Sequence, residues 1–375
     1  MKVLYLDSFS SYPLARAGGH RSGHGLLYRM AQQSGVECMA LMPKRGRGAQ
    51  FPSYDPKVSD FEALGIRQFR LEGGRWHFDC GYPIVAVDDV AAVAAEAVES
   101  FGADLIYCQS PEVRPFLELA RARGSAAIWY IRDTRPRAED LLAADAMGVQ
   151  LVALSRFAAD RIRELCGVEA EVVHSLIEEE HYRVTPDPDG AVTLINPIAD
   201  KGYEIFLELV PLLPEVRFLA VEAWPLGPDL EKVERQLAAF PNVRFLHQQA
   251  DAREVYRRTR LLLVPSIIEE GGPRVVREAH LSGIPAIGSR RGAIREHLGD
   301  GGLIVEDDEN PRAWAAAVRG LLADPERLRQ VSRAAWRNAR RREFTTDYIV
   351  RRFLQICRRT LSARAARESG KGGRA

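Results

Sequence analysis

Glu270 and Glu278 enclose seven residues, Gly-Gly-Pro-Arg-Val-Val-Arg, and the run continues through Ala279 to Gly283-Ile-Pro285. Each residue type here suits one part of a ligand. Gly271 and Gly272 let the main chain approach closely, because no Cβ stands in the way. Pro273 fits the first position of a helix, where a missing N–H costs nothing. The amides that follow, on Arg274, Val275 and Val276, lack partners one turn back and form a ready anion site. Glu270 and Glu278 repel phosphate but accept hydrogen bonds from hydroxyls. An anion cradle between two hydroxyl acceptors matches the chemistry of a nucleotide diphospho-sugar.

The elements around this stretch give it a place. Residues 261–264, Leu-Leu-Leu-Val, form a short apolar run that Pro265 closes, which predicts a buried parallel strand. Residues 266–272 read as a loop. A helix follows from about Arg274 to Leu281 and stops near Gly283, with Pro285 beyond it and a second strand over 285–288. The loop therefore leaves the carboxyl end of a strand, where open α/β sheets bind their ligands.

The spacing Glu-x7-Glu, the glycines, Glu278-Ala279 and Gly283-Ile-Pro285 together resemble family 4 of the retaining glycosyltransferases, which have the GT-B fold. That resemblance implies an α/β chain of two Rossmann-like domains facing a central cleft, with a C-terminal helix crossing back to the N-terminal domain. It also implies roles. Glu278 holds the ribose, Glu270 lies beside the donor sugar, and Gly271, Gly272, Pro273, Arg274 and Val275 meet the diphosphate. Lys201-Gly202 matches a lysine–glycine pair that neutralises the diphosphate in relatives. The arginine that usually precedes it is replaced by Asn196-Pro197, which leaves Lys201 with more of the charge, helped by Arg274. A first glycine-rich turn, Ala17-Gly18-Gly19-His20, corresponds to one that reaches the donor from the opposite domain, with His20 toward acceptor hydroxyls. Where many relatives carry His-Asp at a strand end, this chain has Arg132-Asp133, and Arg132 there suits a phosphate or carboxylated substrate. Gln248 and Gln249 occupy the position that frames the nucleobase.

The implied site thus has Lys201, Glu270 and Arg132 as catalytic residues. Gly19, Asn196, Lys201, Glu270, Gly271, Gly272, Pro273, Arg274, Val275 and Glu278 take the donor, and His20, Arg132 and Asp133 the acceptor. No metal and no cofactor are expected, the nucleotide sugar being a substrate. The acceptor stays open among glycan, lipid-linked and small natural-product hydroxyls, as do the base and the sugar. Two other readings stand beside transfer: a nucleotide-sugar epimerase or hydrolase of the same fold, and a non-catalytic nucleotide-sugar-binding protein.

Bulk properties set the bounds. A chain of 375 residues has room for two domains. Its net charge of +1 asks for no nucleic-acid partner, and no apolar run is long enough for a membrane span. The five cysteines are odd in number and never spaced C-x-x-C, which predicts reduced thiols and a cytoplasmic setting. Arginine in excess over lysine points to a GC-rich bacterial genome. His20 and His24 stand four apart, but no H-E-x-x-H pattern follows, so zinc is not expected.

Strands are expected at 3–6, 37–42, 66–71, 105–108, 126–131, 150–155, 170–174, 192–195, 217–221 and 243–246. Helices are expected at 22–34, 87–101, 115–123, 155–165, 203–213, 229–240, 252–259, 311–322, 327–340 and 346–361. The polar turn Thr-Pro-Asp-Pro-Asp-Gly (185–190) reads as a linker between domains 1–185 and 186–344. Residues 345–362 then return to the first domain. The basic tail 363–375 is expected unstructured, with weak contact to an anionic membrane surface open to it. The oligomeric state is left open.

Overall fold

The computed structural model describes residues 1–9, 12–13, 18–44, 56–63, 65–109 and 111–372. Ala17 of the expected glycine-rich turn lies outside them. The chain divides into two compact units, one of Met1–Leu176 with Thr346–Ala375 and one of Ile177–Thr345.

In the first unit, nine strands among the described residues form one sheet. They are β1 (Lys2–Leu6), β2 (Glu37–Pro43), β3 (Phe69–Glu72), β4 (Arg75–Asp79), β5 (Pro83–Val87), β6 (Leu105–Cys108), β7 (Ala126–Ile131), β8 (Gln150–Ala153) and β9 (Glu171–Val172). Their order is β3-β4-β5-β2-β1-β6-β7-β8-β9. The central strands are parallel and buried on both faces, so they read as unbroken apolar runs. Side chains alternate between two cores. Tyr5, Tyr107 and Tyr130 face one, and Leu4, Leu6, Ile106, Trp129 and Ile131 face the other.

One edge was less legible. β3 and β4 form an antiparallel hairpin in which Glu72 pairs with Arg75 across Gly73-Gly74, both at positive φ. A Gly-Gly pair between alternating segments is a two-residue hairpin signal. The sequence expectation stopped at residue 71 because Arg75–Asp79 mixes charges with its apolar residues. In fact Trp76 and Phe78 alternate inward onto Phe61, at 4.9 and 5.0 Å between ring centres. The first helix, Gly18–Ala31, starts four residues before the expected 22, since glycines read locally as loop.

The second unit carries a parallel sheet of β10 (Ala191–Ile195), β11 (Phe218–Val221), β12 (Val243–Leu246), β13 (Thr259–Val264), β14 (Ala286–Ser289) and β15 (Gly302–Val305). Its order is β12-β11-β10-β13-β14-β15. Leu261 and Leu263 point into one core with Val192, Leu194 and Trp314. Leu262 and Val264 point into the other with Val276 and Ala279. The expected linker at 185–190 is tied into this unit: Asp187 N donates to Arg257 O and Ala191 N to Arg258 O. Its backbone needs are met by neighbours, so it is a turn rather than a tether.

Thr346–Gly372 forms a single helix belonging to the first unit. Phe353 packs edge-on against Tyr107 at 5.1 Å, and Arg352 pairs with Glu171 at 2.5 Å. The helix runs past the expected end at 361 through most of the segment expected unstructured. Ala363, Ala365 and Ala366 among arginines are strong helix formers, and a charged stretch continues a helix that is already nucleated. Among the described residues no helix is long and apolar enough to cross a membrane.

Candidate functional site at the carboxyl edge of the second sheet

Three loops leave the carboxyl ends of β10, β13 and β14, which are neighbours in the sheet. After β10, Asn196 adopts φ +59°, a left-handed conformation that asparagine tolerates better than most residues. Its Oδ1 accepts the amides of Ala223 at 2.9 Å and Trp224 at 2.8 Å, fixing the loop after β11. The chain then makes a short 3-10 turn, Ala199–Lys201, which ends at Gly202. Gly202 has φ +75°, and a Cβ there would collide with the Pro265 carbonyl. Close approach by the loops after β10 and β13 therefore requires glycine at 202. Replacing it with alanine is expected to destabilise the unit by more than about 1–2 kcal/mol, from left-handed strain plus the clash. Urea unfolding reads the loss, and a wild-type midpoint would remove the close approach from the site.

That approach sets Lys201 against Glu270. Lys201 Nζ donates to Glu270 Oε1 at 2.5 Å, with only 20 % and 13 % of the two side chains exposed. Ser266 Oγ donates to the same oxygen at 2.6 Å. Both bonds land on Oε1, which leaves Oε2 for a ligand hydroxyl. The Glu270 backbone is held from the β14 side, where Ala293 N donates to Glu270 O at 2.7 Å and Gly292, φ +59°, leaves no room for a side chain. The amides of Gly271 and Gly272 donate to no group among the described residues.

The helix Arg274–His280 has seven residues. Its Val276 amide is already given to Pro273 O at 3.1 Å, so the anion cradle expected over 274–276 is narrower than the sequence suggests. Arg274, expected to assist Lys201, is instead drawn to Glu278 at 3.2 Å and to the Tyr182 hydroxyl at 3.2 Å. Tyr256 Oη donates to Glu278 Oε2 at 2.6 Å. Burial first, and then the Glu278 carboxylate, push the Tyr256 phenol well above its usual range, so it remains a donor. Glu278 is thus a fixed carboxylate, and each oxygen retains a lone pair for further donors.

Gln248 and Gln249 follow β12, with Gln248 Nε2 reaching Ala223 O at 3.4 Å, and the other expected residues belong to the first unit. Arg132 Nε donates to Gln109 Oε1 at 2.8 Å and Nη1 to Ser175 Oγ at 3.3 Å, and the guanidinium lies 4.2 Å from the Tyr130 ring centre. Gly19 lies beside its Cδ. His20 is close enough that burial first and the Arg132 charge second lower its pKa to about 4. Asp133 is not part of this group; its carboxylate accepts the Arg135 amide in an exposed turn.

Burial alone lowers His24 to about 4, and burial foremost lowers His280 to about 3. An unfolded histidine takes its proton near pH 6.5, so between there and about pH 4 the unfolded chain binds more protons than the folded one. Stability from these three residues is therefore complete above pH 6.5 and declines toward pH 4. Urea midpoints measured from pH 7.5 to 4.5 are expected to fall, with a shallower slope in His24→Gln; a flat profile would contradict the burial of these rings.

Four contributors were absent from the sequence reading. Ser266 was visible only as a polar residue at a strand exit, and Gly292 as the end of a Ser-Arg-Arg-Gly turn. Tyr256 and Tyr182 gave no local signal, since they reach the Glu278 group from 22 positions away from Glu278 and 92 away from Arg274. Among the described residues no group of three or more His, Cys, Asp or Glu side chains stands where it would hold a metal ion.

Residues 191–324 match the family model described as glycosyl transferases group 1. The chain is similar to the D-inositol 3-phosphate glycosyltransferases of Salinispora tropica, 32 % identical over 39 % of this chain and 32 % of the relative, and of Segniliparus rotundus, 35 % identical over 38 % and 34 %. These alignments span about a third of the curated relatives' length. Solved structures align over nearly the whole chain. A glycosyltransferase from Rickettsia africae gives a TM-score of 0.75 at 14 % identity, covering 96 % of this chain and 98 % of its own. HepE of Anabaena in complex with UDP and glucose gives 0.73 at 16 %, covering 95 % and 99 %. Sucrose-phosphate synthase of Thermosynechococcus elongatus gives 0.74 at 15 %, covering 97 % and 100 %. The chain has the GT-B fold, α/β with two Rossmann-like domains, and its second unit carries the group 1 glycosyl transferase pattern.

Proposed function

We propose that this protein is a retaining glycosyltransferase of family 4 that moves a sugar from a nucleotide diphospho-sugar to a hydroxyl acceptor, without a metal ion. The observation that carries the reading is the Lys201–Glu270 pair beside the free amides of Gly271 and Gly272. A cation and two main-chain donors at one strand's exit suit a diphosphate, whose charge grows as the glycosidic bond breaks. When the donor enters, Lys201 turns from Glu270 to the phosphates, and Glu270 accepts from the sugar hydroxyls. Glu278, held by Tyr256 and Arg274, takes the ribose. The match over 191–324 to a glycosyl transferase family supports the reading, as do the UDP and glucose bound by the Anabaena structure. On the acceptor side, Arg132 and His20 are the residues we assign.

The test is product analysis. The protein is incubated with UDP-, GDP-, ADP- and dTDP-glucose and a panel of hydroxyl acceptors, and the products are followed by NMR. A new glycosidic bond with the donor's anomeric configuration is expected. Inversion would remove the retaining mechanism; free or epimerised sugar would favour the hydrolase or epimerase reading; binding without turnover would favour a non-catalytic role.

A further inference from the structure

Three strands of the second sheet, β10, β11 and β13, begin around a cavity of about 320 Å³. It lies at their amino ends, whereas Lys201, Glu270 and Glu278 all follow carboxyl ends. Val192, Val216 and Leu322 give it an apolar wall, Leu322 being the last residue of the helix Pro311–Leu322. Arg217, Arg260 and Arg319 line it as well, together with Glu215. Three guanidiniums against one carboxylate leave two positive charges.

Arg260 is the unusual member. Ala191 stands opposite Thr259 and Val192 opposite Leu261, so Arg260 is an extra residue in the ladder between β10 and β13. Bulges are rare in parallel pairs, and they re-aim a side chain. Strict alternation would group Arg260 with Leu262 and Val264, on the opposite face from Val192. It lines the cavity beside Val192 instead. The turn before β10 closes tightly on the bulge, since a Cβ on Gly190 would stand 2.8 Å from Arg258 O and 3.0 Å from Arg260 N. Arg260 is half-buried, and its guanidinium has no hydrogen-bond or ion-pair partner among the described residues. The other two arginines are exposed and partly engaged: Arg217 donates to Asp189 O, and Arg319 to Leu212 O at 2.9 Å while reaching Glu215 at 3.5 Å.

We propose that this cavity binds a phosphomonoester of about sugar size, at a site separate from the donor's. A phosphate monoester carries about 1.5 to 2 negative charges at neutral pH and three strong acceptor oxygens. That charge matches the surplus on the lining, and the planar fork of arginine takes phosphate oxygens two at a time. A bare anion has no use for the apolar wall. An organic group of sugar size covers it, with Glu215 Oε2 accepting from a hydroxyl. Such a site stands whether or not Lys201 and Glu270 hold a donor.

The test titrates the full-length chain calorimetrically, near neutral pH and at constant ionic strength, with ribose 5-phosphate, inorganic phosphate and ribose. Ribose 5-phosphate should bind more tightly than inorganic phosphate, and ribose not at all. Arg260→Gln should raise the Kd of both anions about tenfold, the size of a lost charge-assisted pair. It should keep the wild-type urea midpoint, because this guanidinium holds no other group in place. Ala323→Phe keeps every charge but fills the cavity, and should abolish ribose 5-phosphate binding. Lys201→Ala should leave both Kd values unchanged. Binding lost in Lys201→Ala and kept in Arg260→Gln overturns the proposal by seating the anion at the donor site. Binding untouched by Ala323→Phe overturns it too, leaving only general attraction to surface charge. Equal affinity for ribose 5-phosphate and inorganic phosphate removes the ester, and no heat from either anion at millimolar concentration removes the site.

Discussion

Replacing Lys201 with alanine is expected to lower the kcat of sugar transfer by about 100- to 1,000-fold, the usual cost of removing one preorganised donor from a developing anion. The effect should be this large because the site has little to substitute for it. Arg274, the nearest alternative suggested by the sequence, is committed to Glu278 and Tyr182. Asn196, where the resemblance implies an arginine, has its oxygen engaged by two loop amides. Lys201→Arg keeps the charge but not the reach past Gly202, and should recover only part of the loss. Glu270 keeps its Ser266 bond at Oε1, but loses its cation at a site where only 13 % of its side chain is exposed, so urea unfolding should show a loss of stability beside the kinetic one. Steady-state kinetics at saturating donor decide the matter; a kcat within threefold of wild type would take the lysine out of the mechanism.

Glu278→Ala should act on both the fold and the donor. Arg274 and Glu278 have only 11 % of their side chains exposed, and deleting the acid strands a guanidinium that is otherwise well shielded. Breaking such a pair from one side costs about 3–5 kcal/mol. A stability loss of that order is expected in urea unfolding of the 177–345 unit, together with a raised KM for the donor. The double change Arg274→Met with Glu278→Leu separates the two effects. Removing both charges should restore most of the stability, while donor binding stays weak because no carboxylate meets the ribose. Recovery of donor binding in the double variant would show that Glu278 serves only the fold.

Much of the scaffold was legible because buried parallel strands are short apolar runs punctuated by glycine and proline. Residues 105–108 and 126–131 coincide with β6 and β7 for that reason. The hairpin β3–β4 escaped because its edge position puts charges on the outward face and breaks up the apolar pattern. At the site, Lys201 and Glu270 could be named from their motifs, yet their contact at 2.5 Å depends on Gly202 lying against Pro265, a fact of tertiary packing. Arg274 shows the opposite case. Its place beside a glycine-rich loop suggests a phosphate ligand, but a buried arginine four residues before a glutamate satisfies that partner first.

The order in which the chain is built gives the return of Thr346–Gly372 to the first unit a further consequence. Ile349, Phe353, Ile356 and Cys357 complete the same core as Val3 and Tyr5, at the far end of the polypeptide. A ribosome therefore exposes the opening sheet long before it delivers the helix that closes one of its faces. Meanwhile every residue of the inserted 177–345 segment has emerged and is able to fold first. Newborn chains arrested once residue 345 has left the ribosome, but before Thr346–Gly372 has followed, should accordingly hold a finished insert and an unsealed, chaperone-seeking opening half.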